Sequence, residues 1–148
     1  MQPLNLPVFE PKITKVDGKK RIFDVIRKKY VVLTPEEWVR QHFLNYLITS
    51  LNYPKSLIKI ESGLQFRTIS KRTDILIYDR KGKPWMIVEC KAPDIRLDRK
   101  SFNQALIYNM TLGAQFITVT NGMLHFCFQP GQGSGQASFL PTLPAFQE

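Results

Sequence analysis

Three residues of this chain have types and spacing that could do chemistry together: Asp74, Glu89 and Lys91. They fall on a predicted β-hairpin, with one strand over 74–78, a turn over 79–83 containing Gly82, and a second strand over 84–91. With Lys81-Gly82 at the centre of the turn, Arg80 faces Lys83, Tyr78 faces Trp85 and, further along the ladder, Asp74 faces Glu89. Directly opposed residues point to the same face of a sheet. Lys91, two residues beyond Glu89, points there too. A one-residue slip would undo this arrangement. Opposed carboxylates repel each other unless a cation sits between them. Magnesium is held in that way, by one or two carboxylates plus waters and substrate phosphate oxygens. It would polarise a phosphate ester and lower the pKa of a bound water. Lys91 would orient or deprotonate that water, or stabilise the charge that develops on the phosphate. The chemistry indicated is phosphodiester hydrolysis.

A plainer alternative is a solvated surface hairpin in which Glu89 and Lys91 form an ordinary same-face ion pair. Against it stand the apolar runs Ile75-Leu76-Ile77 and Trp85-Met86-Ile87-Val88, which read as central, buried strands. Charges at the ends of such strands suggest a site. Gln104 and Tyr108, at i and i+4, share a helix face and could contact a sugar–phosphate backbone; packing alone would also account for them. Glu36 heads the inward face of a predicted first helix and could add a third carboxylate, directly or through water. Glu37 is expected to serve the helix cap. Both acids would also complement the helix dipole.

The elements that must position these residues can be read in order. Residues 1–20 are polar and Pro-containing, and read as an extended arm. Residues 21–33 read as two short strands around a turn that cover the sheet edge, with no chemistry assigned. Thr34-Pro35-Glu36-Glu37 is a helix start: Thr34 as N-cap, Pro35 at N1, Glu37 closing a capping box. The helix runs to about Leu51, with Val39, Phe43, Tyr46, Leu47 and Ser50 on one face, and Asn52-Tyr53-Pro54 ends it. A strand follows over 57–60, with a bend near Ser62-Gly63 and a continuation to 69. After the hairpin and a charged loop, 101–112 forms the second helix, stopped by Gly113. Residues 115–120 and 123–128 are strands joined through Asn121-Gly122. Residues 129–138 read as a flexible linker, and the apolar tail 139–148 docks on the body. The expected fold is α/β: a mixed central sheet flanked by helices, in the order α-β-β-β-α-β-β after an N-terminal hairpin.

Size and charge bound the rest. The 148 residues suit one domain. Cys90 and Cys127 form no CxxC pair and have no histidine at ligand spacing, so neither a disulfide framework nor a zinc site is expected. His42 and His125 read as structural. The start of the chain does not resemble a signal peptide, and no window approaches a membrane span, so a soluble, cytoplasmic protein is expected. The net charge of +9, from 21 Lys and Arg against 12 Asp and Glu, favours a polyanionic partner. The basic residues cluster in 12–29 and 71–100.

Taken in order, Asp74, Glu89-Cys90-Lys91 and Gln104-xxx-Tyr108 resemble the PD-(D/E)xK nuclease superfamily, and within it the N-terminal domain of the type I restriction enzyme R subunit. The stretches IFDVIRKKY, LTPEEWVRQHFLNYLI, RTDILIYDRKGKPWMIVECKAP, QALIYNM and VTNG carry the similarity, from about residue 20 to 128. The resemblance implies a restriction-endonuclease-like core and a magnesium-dependent deoxyribonuclease, with manganese as a substitute metal. It implies Asp74 and Glu89 as metal ligands, Lys91 as the catalytic lysine and the Cys90 carbonyl as a backbone ligand. Glu36 is then the helix carboxylate, and Gln104 and Tyr108 place DNA. Thr73 stands where the superfamily motif has proline. The R subunit also carries an ATP-driven motor. This chain has no GxxxxGK[ST] loop, so no ATP use is expected.

Three readings follow: a stand-alone or partner-dependent DNA endonuclease; a catalytically silent nuclease-like module that binds DNA or assembles a restriction complex; and a structural subunit that binds a protein through the edge of 21–33. DNA is the expected partner, with a homodimer or other restriction-system subunits beside it.

Overall fold

The computed structural model describes residues 1–60, 74–131 and 136–147, together with the backbone of 63–66 and 69–72. Its centre is a six-stranded mixed sheet. β1 (Ile13–Val16), β2 (Lys19–Asp24) and β3 (Lys29–Val32) form a separate antiparallel sheet that precedes α1 (Pro35–Thr49). Next come a short 3-10 turn at Lys55–Leu57, β4 (Ile58–Ile60), and a ribbon of β5 (Gly63–Phe66) and β6 (Ile69–Arg72). Then follow β7 (Ile75–Tyr78), β8 (Pro84–Cys90), α2 (Arg99–Leu112), β9 (Phe116–Thr120), β10 (His125–Gln129) and β11 (Ser138–Leu140). The main sheet runs β11-β10-β9-β8-β7-β4, with β8 and β9 parallel and the other pairs antiparallel. Helix α2 makes the crossover that a parallel pair requires.

Strand alternation splits the core in two. Ile75, Ile77, Met86, Val88 and Cys90 pack with Val39, Phe43 and Leu47 of α1. Leu76, Ile87, Ile117 and Val119 pack with Ala105 of α2 on the other face. The predicted inward face of α1 holds for Val39, Phe43 and Leu47, whereas Tyr46 is half-buried and Ser50 exposed. Burial extends to Arg40, Gln41, His42 and Leu44 as well. One cause is the N-terminal arm: Phe9 packs edge-on against His42, and Trp38 donates to the Gln2 carbonyl.

Several boundaries differ from the sequence expectation. The arm over 1–20 holds β1 and the start of β2, turned by Asp17-Gly18 with both φ values positive, as a two-residue hairpin requires. The hairpin over 21–33 is two-thirds of a three-stranded sheet. Helix α1 stops at Thr49, and α2 starts at Arg99 because Asp98 caps it, accepting from Ser101 N. The continuation expected through 69 is instead the β5–β6 ribbon. The expected bend at Ser62, and Thr73, lie outside the described residues. Gln129 and Ser138 are strand residues that pair with each other. Beyond β11 the tail docks: Tyr53 donates its hydroxyl to the Pro144 carbonyl at 2.6 Å, and Phe146 N donates to Leu51 O.

Histidine and cysteine carry structure. His42 Nδ1 donates to the Trp38 carbonyl. His125 donates from Nε2 to the Asn5 carbonyl and accepts at Nδ1 from Thr120. Both cysteines are free and buried. Burial pushes the Cys90 thiol well above its ordinary pKa, which makes it a poor nucleophile. Among the described residues no helix is long and apolar enough to cross a membrane.

Asp24 closes β2 and braces the first sheet. Its Oδ1 accepts from Ile26 N and Arg27 N, and its Oδ2 takes Arg27 Nε at 2.7 Å. Burial acts to raise its pKa, but the Arg27 and Ile26 hydrogen bonds outweigh it and hold the carboxyl below its usual range. A carboxyl lowered in the folded state contributes stability that is complete above the unfolded value and lost as pH falls through the folded one. Asp24→Asn should therefore cost about 3 kcal/mol near neutrality. The gap between variant and wild-type melting temperatures should narrow as pH falls below about 4. Equal melting at pH 7 would refute this.

Candidate active site

The β7–β8 ladder pairs Ile75 with Val88, Leu76 with Ile87 and Ile77 with Met86. Asp74 and Glu89 stand one step beyond its end, next in register. The turn differs from the symmetric expectation: Tyr78 pairs with Pro84, not Trp85, across a bulge. The cause lies in 79–83, where Asp79 accepts from Lys81 N and Lys83 N through its side chain and donates its own N–H to the Lys83 carbonyl. Trp85 is the extra residue, so Trp85 and Met86 both meet the α1-side core. The bulge lies between the turn and the three pairs, and Asp74 keeps its place opposite Glu89.

By alternation, Glu89 and Lys91 lie on the face that carries Leu76 and Ile87, while Asp74, just before β7, turns its carboxylate to Arg40 of α1. Lys91 Nζ is 3.4 Å from Glu89 Oε1, with the two side chains 26% and 13% exposed. The Lys91 N–H continues the parallel ladder to the Thr120 carbonyl. Asn121, just after β9, holds the loop beyond Lys91 by donating to the Ile95 carbonyl. Its Oδ1 also accepts from Met123 N and Leu124 N, closing the turn to β10. Gly122 in that turn has φ +85°, a conformation that favours glycine, and a Cβ there would lie 2.8 Å from a Leu4 methyl, so the arm's side chain would have to shift.

Asp74 is almost fully enclosed. Its Oδ2 accepts the Cys90 N–H at 2.6 Å and its Oδ1 accepts Arg40 Nη2 at 2.7 Å. Arg40 is 5% exposed. The same Nη2 is 3.3 Å from Glu36 Oε1, and Nη1 donates to Glu37 Oε1. Burial opposes the Arg40 charge, but Asp74 and Glu37 outweigh it and push its pKa further up. Sequence reasoning missed this residue. The signal was an arginine one turn after the helix start, between Val39 and the buried face around Phe43.

The two glutamates of α1 separate. Thr34 accepts from Glu37 N, half of the expected capping box. The Glu37 carboxylate turns instead to Arg27, Arg40 and Gln41. Glu36 stays half-exposed and senses the site: burial, then the Asp74 charge, raises its pKa, while Arg40 and Lys91 lower it. Glu89 is pushed up to about 7, first by burial and then by Asp74, with Lys91 opposing. The end of β7 and β8 therefore gathers three carboxylates against two cations.

Gln104 and Tyr108 lie on α2 beside its buried line of Ser101, Ala105 and Asn109. Both are half-buried, and Tyr108 packs with the core of that face. The structure thus brings together Asp74, Glu89, Lys91, Glu36 and the Cys90 backbone, and places Gln104 and Tyr108 on the helix covering the same face. Among the described residues no three His, Cys, Asp or Glu side chains form a ready metal cage. An Asp–Glu pair nonetheless matches the donor set of magnesium, which needs only one or two protein carboxylates.

Arg40→Met should destabilise the protein by about 3–5 kcal/mol, because it leaves buried carboxylates without their counter-charge. Arg40→Lys should recover only part of this, since one ammonium cannot bridge Asp74, Glu36 and Glu37 as the fork does. Urea denaturation of both variants checks this, and wild-type stability in Arg40→Met would refute it.

The family described as Type I restriction enzyme R protein N terminus (HSDR_N) matches residues 35–144. Among solved structures, the chain is similar to a fragment of a candidate HsdR subunit of a type I restriction enzyme from Vibrio vulnificus YJ016. Identity is 22% and the TM-score 0.58, over 76% of this chain and 24% of that one. It also overlaps a candidate nuclease belonging to DUF820 from Anabaena variabilis ATCC 29413, at 15% identity and a TM-score of 0.47, over 93% of this chain and 80% of that one. No curated protein matches by sequence. The chain spans about a quarter of the length of the Vibrio fragment. With the family match covering both α1 and the β7–β8 hairpin, this chain belongs to the family of type I restriction enzyme R protein N-terminal domains.

Proposed function

We propose that this nuclease-like domain hydrolyses phosphodiester bonds of DNA with magnesium, manganese serving as a substitute, and works as an endonuclease within a restriction system. The observation that carries the reading is the position of Asp74 and Glu89 one step beyond the Ile75–Val88 pair, with Asp74 accepting from Cys90 N and Lys91 3.4 Å from Glu89. Asp74, Glu89 and the Cys90 carbonyl would hold the ion, with Glu36 reaching it directly or through water. The ion would polarise the phosphate and supply an activated water. Lys91 carries a positive charge and so cannot be a ligand; it orients the water or stabilises charge on the phosphate. Gln104 and Tyr108 would contact the sugar–phosphate backbone from α2. Arg40 fixes Asp74 in place through the 2.7 Å bond to its Oδ1.

The +9 charge supports a polyanionic substrate. One such site cuts one strand, so double-strand cleavage would need a second copy or other restriction-system subunits.

Asp74→Ala and Glu89→Ala should each abolish magnesium-dependent nicking of supercoiled plasmid while leaving the circular dichroism spectrum unchanged. Near wild-type nicking by either variant would remove that residue from the site. Nicking that persists in excess EDTA would overturn the metal-dependent reading.

Lys91→Ala should separate binding from chemistry. Magnesium affinity by calorimetry should stay equal or rise, because a neighbouring positive charge is gone. Single-turnover cleavage should fall by about 100-fold or more. Lys91→Arg should rescue poorly, since a guanidinium does not reproduce the compact ammonium. Loss of magnesium binding in Lys91→Ala would make the lysine structural, and full activity would remove it from catalysis.

A further inference from the structure

The first sheet carries a surface that the carboxylate site does not use. Ile22 and Asp24 are fully buried, so the alternating residues Lys19, Arg21 and Phe23 of β2 face outward. Their cross-strand partners share that face: Val16 opposite Lys19, Thr14 and Val32 flanking Arg21, and Tyr30 opposite Phe23. Val16, Val32 and Tyr30 are 45%, 47% and 40% exposed. The Phe23 and Tyr30 rings meet edge to face at 5.3 Å, and Lys12 Nζ lies 5.7 Å from the Phe23 ring centre. An exposed sheet face is ordinarily polar. This one sets apolar and aromatic surface among cations.

Residues 12–29 hold eight basic and two acidic side chains; of these cations Lys19 and Arg21, with Lys12 beside Phe23, belong to the outer face, while Lys15, Lys20 and Lys29 alternate onto the face of Ile22 and Asp24. Asp24 is already taken by Arg27. Among the described residues, none of Lys12, Lys19 and Arg21 forms an ion pair. Cations alone would fit any polyanion, duplex phosphate included. The ring pair and the exposed valines narrow the choice, because they offer surface for base faces, which are open only where the strand is unpaired.

The sheet is also tied to the carboxylates. Asp24 holds Arg27, Arg27 Nη2 is 3.3 Å from Glu37, Glu37 holds Arg40, and Arg40 holds Asp74. A strand lying on the sheet is thereby held in fixed relation to Asp74.

We propose that the outer face of β1–β3, with Lys12, Lys19 and Arg21 around the Phe23–Tyr30 pair, binds single-stranded DNA. The face is built from residues outside the carboxylate site, so binding and cleavage can fail separately. Fluorescence anisotropy of the whole chain in EDTA, with labelled oligo(dT) and a labelled duplex hairpin, tests it. Lys19→Glu/Arg21→Glu should weaken oligo(dT) binding tenfold or more and flatten the log–log salt slope by about 1.4, the share of two phosphate contacts. Lys19→Gln/Arg21→Gln decides the matter if the reversed variant melts early. Tyr30→Ala should weaken oligo(dT) binding by at least about fivefold without changing the slope, and should leave duplex binding near wild type. Unchanged oligo(dT) affinity in these variants overturns the proposal even if the protein cleaves DNA. So does equal loss on the duplex with no effect of Tyr30→Ala, which would make the face a contact for duplex phosphates or an acidic protein. The expected losses in a chain that never cleaves would leave the face standing and remove the nuclease reading instead.

Discussion

A single buried guanidinium organises this domain. Arg40 lies one turn into α1 and touches Glu36, Glu37 and Asp74. Taking Arg40, Glu37 and Asp74 out of water is costly unless each finds partners. Here the partners come from three places: the first turn of α1, the start of β7, and, through Glu37, the Arg27 turn of the first sheet. The contact therefore does more than neutralise Asp74. It fixes how the helix, the central hairpin and the N-terminal sheet meet.

The rest of the site follows from strand geometry. Buried β7 and β8 lock their register because a slip would turn Ile75, Ile77, Met86 and Val88 away from α1. With the register locked, Asp74 and Glu89 are brought side by side although like charge opposes it. Burial and that contact together push Glu89 up to about 7. Such a frustrated pair, held by apolar packing on one side and Arg40 on the other, is what a cation or phosphate-bearing ligand would relieve.

Much of this was legible in the sequence. Periodicity gave the two helices and the central hairpin, because their apolar residues repeat with the period of the elements they form. The opposition of Asp74 and Glu89 came from turn symmetry. It held although the turn itself was misread: the Asp79 side-chain bonds and the bulge at Trp85 lie on the turn side of the three pairs. Less legible were features that depend on distant partners. Arg40 carried no sequence expectation, since nothing near it in sequence shows that Asp74 closes over it. Glu37 looked like a cap, since only the fold brings Arg27 within reach. The first sheet was read as a hairpin because β1 is short and half polar, and alternation over four residues is a weak signal.

The bulge at Trp85 isolates the turn from everything beyond it. Three ladder pairs and a packed core stand between residues 79–83 and the carboxylates. A bulge absorbs a change in residue number locally, so the length of the 79–83 segment is uncoupled from the alignment of Asp74 with Glu89. That segment is thus a natural insertion point, where a reporter peptide or a fluorophore-bearing loop could be grafted while the far end of the hairpin keeps its register.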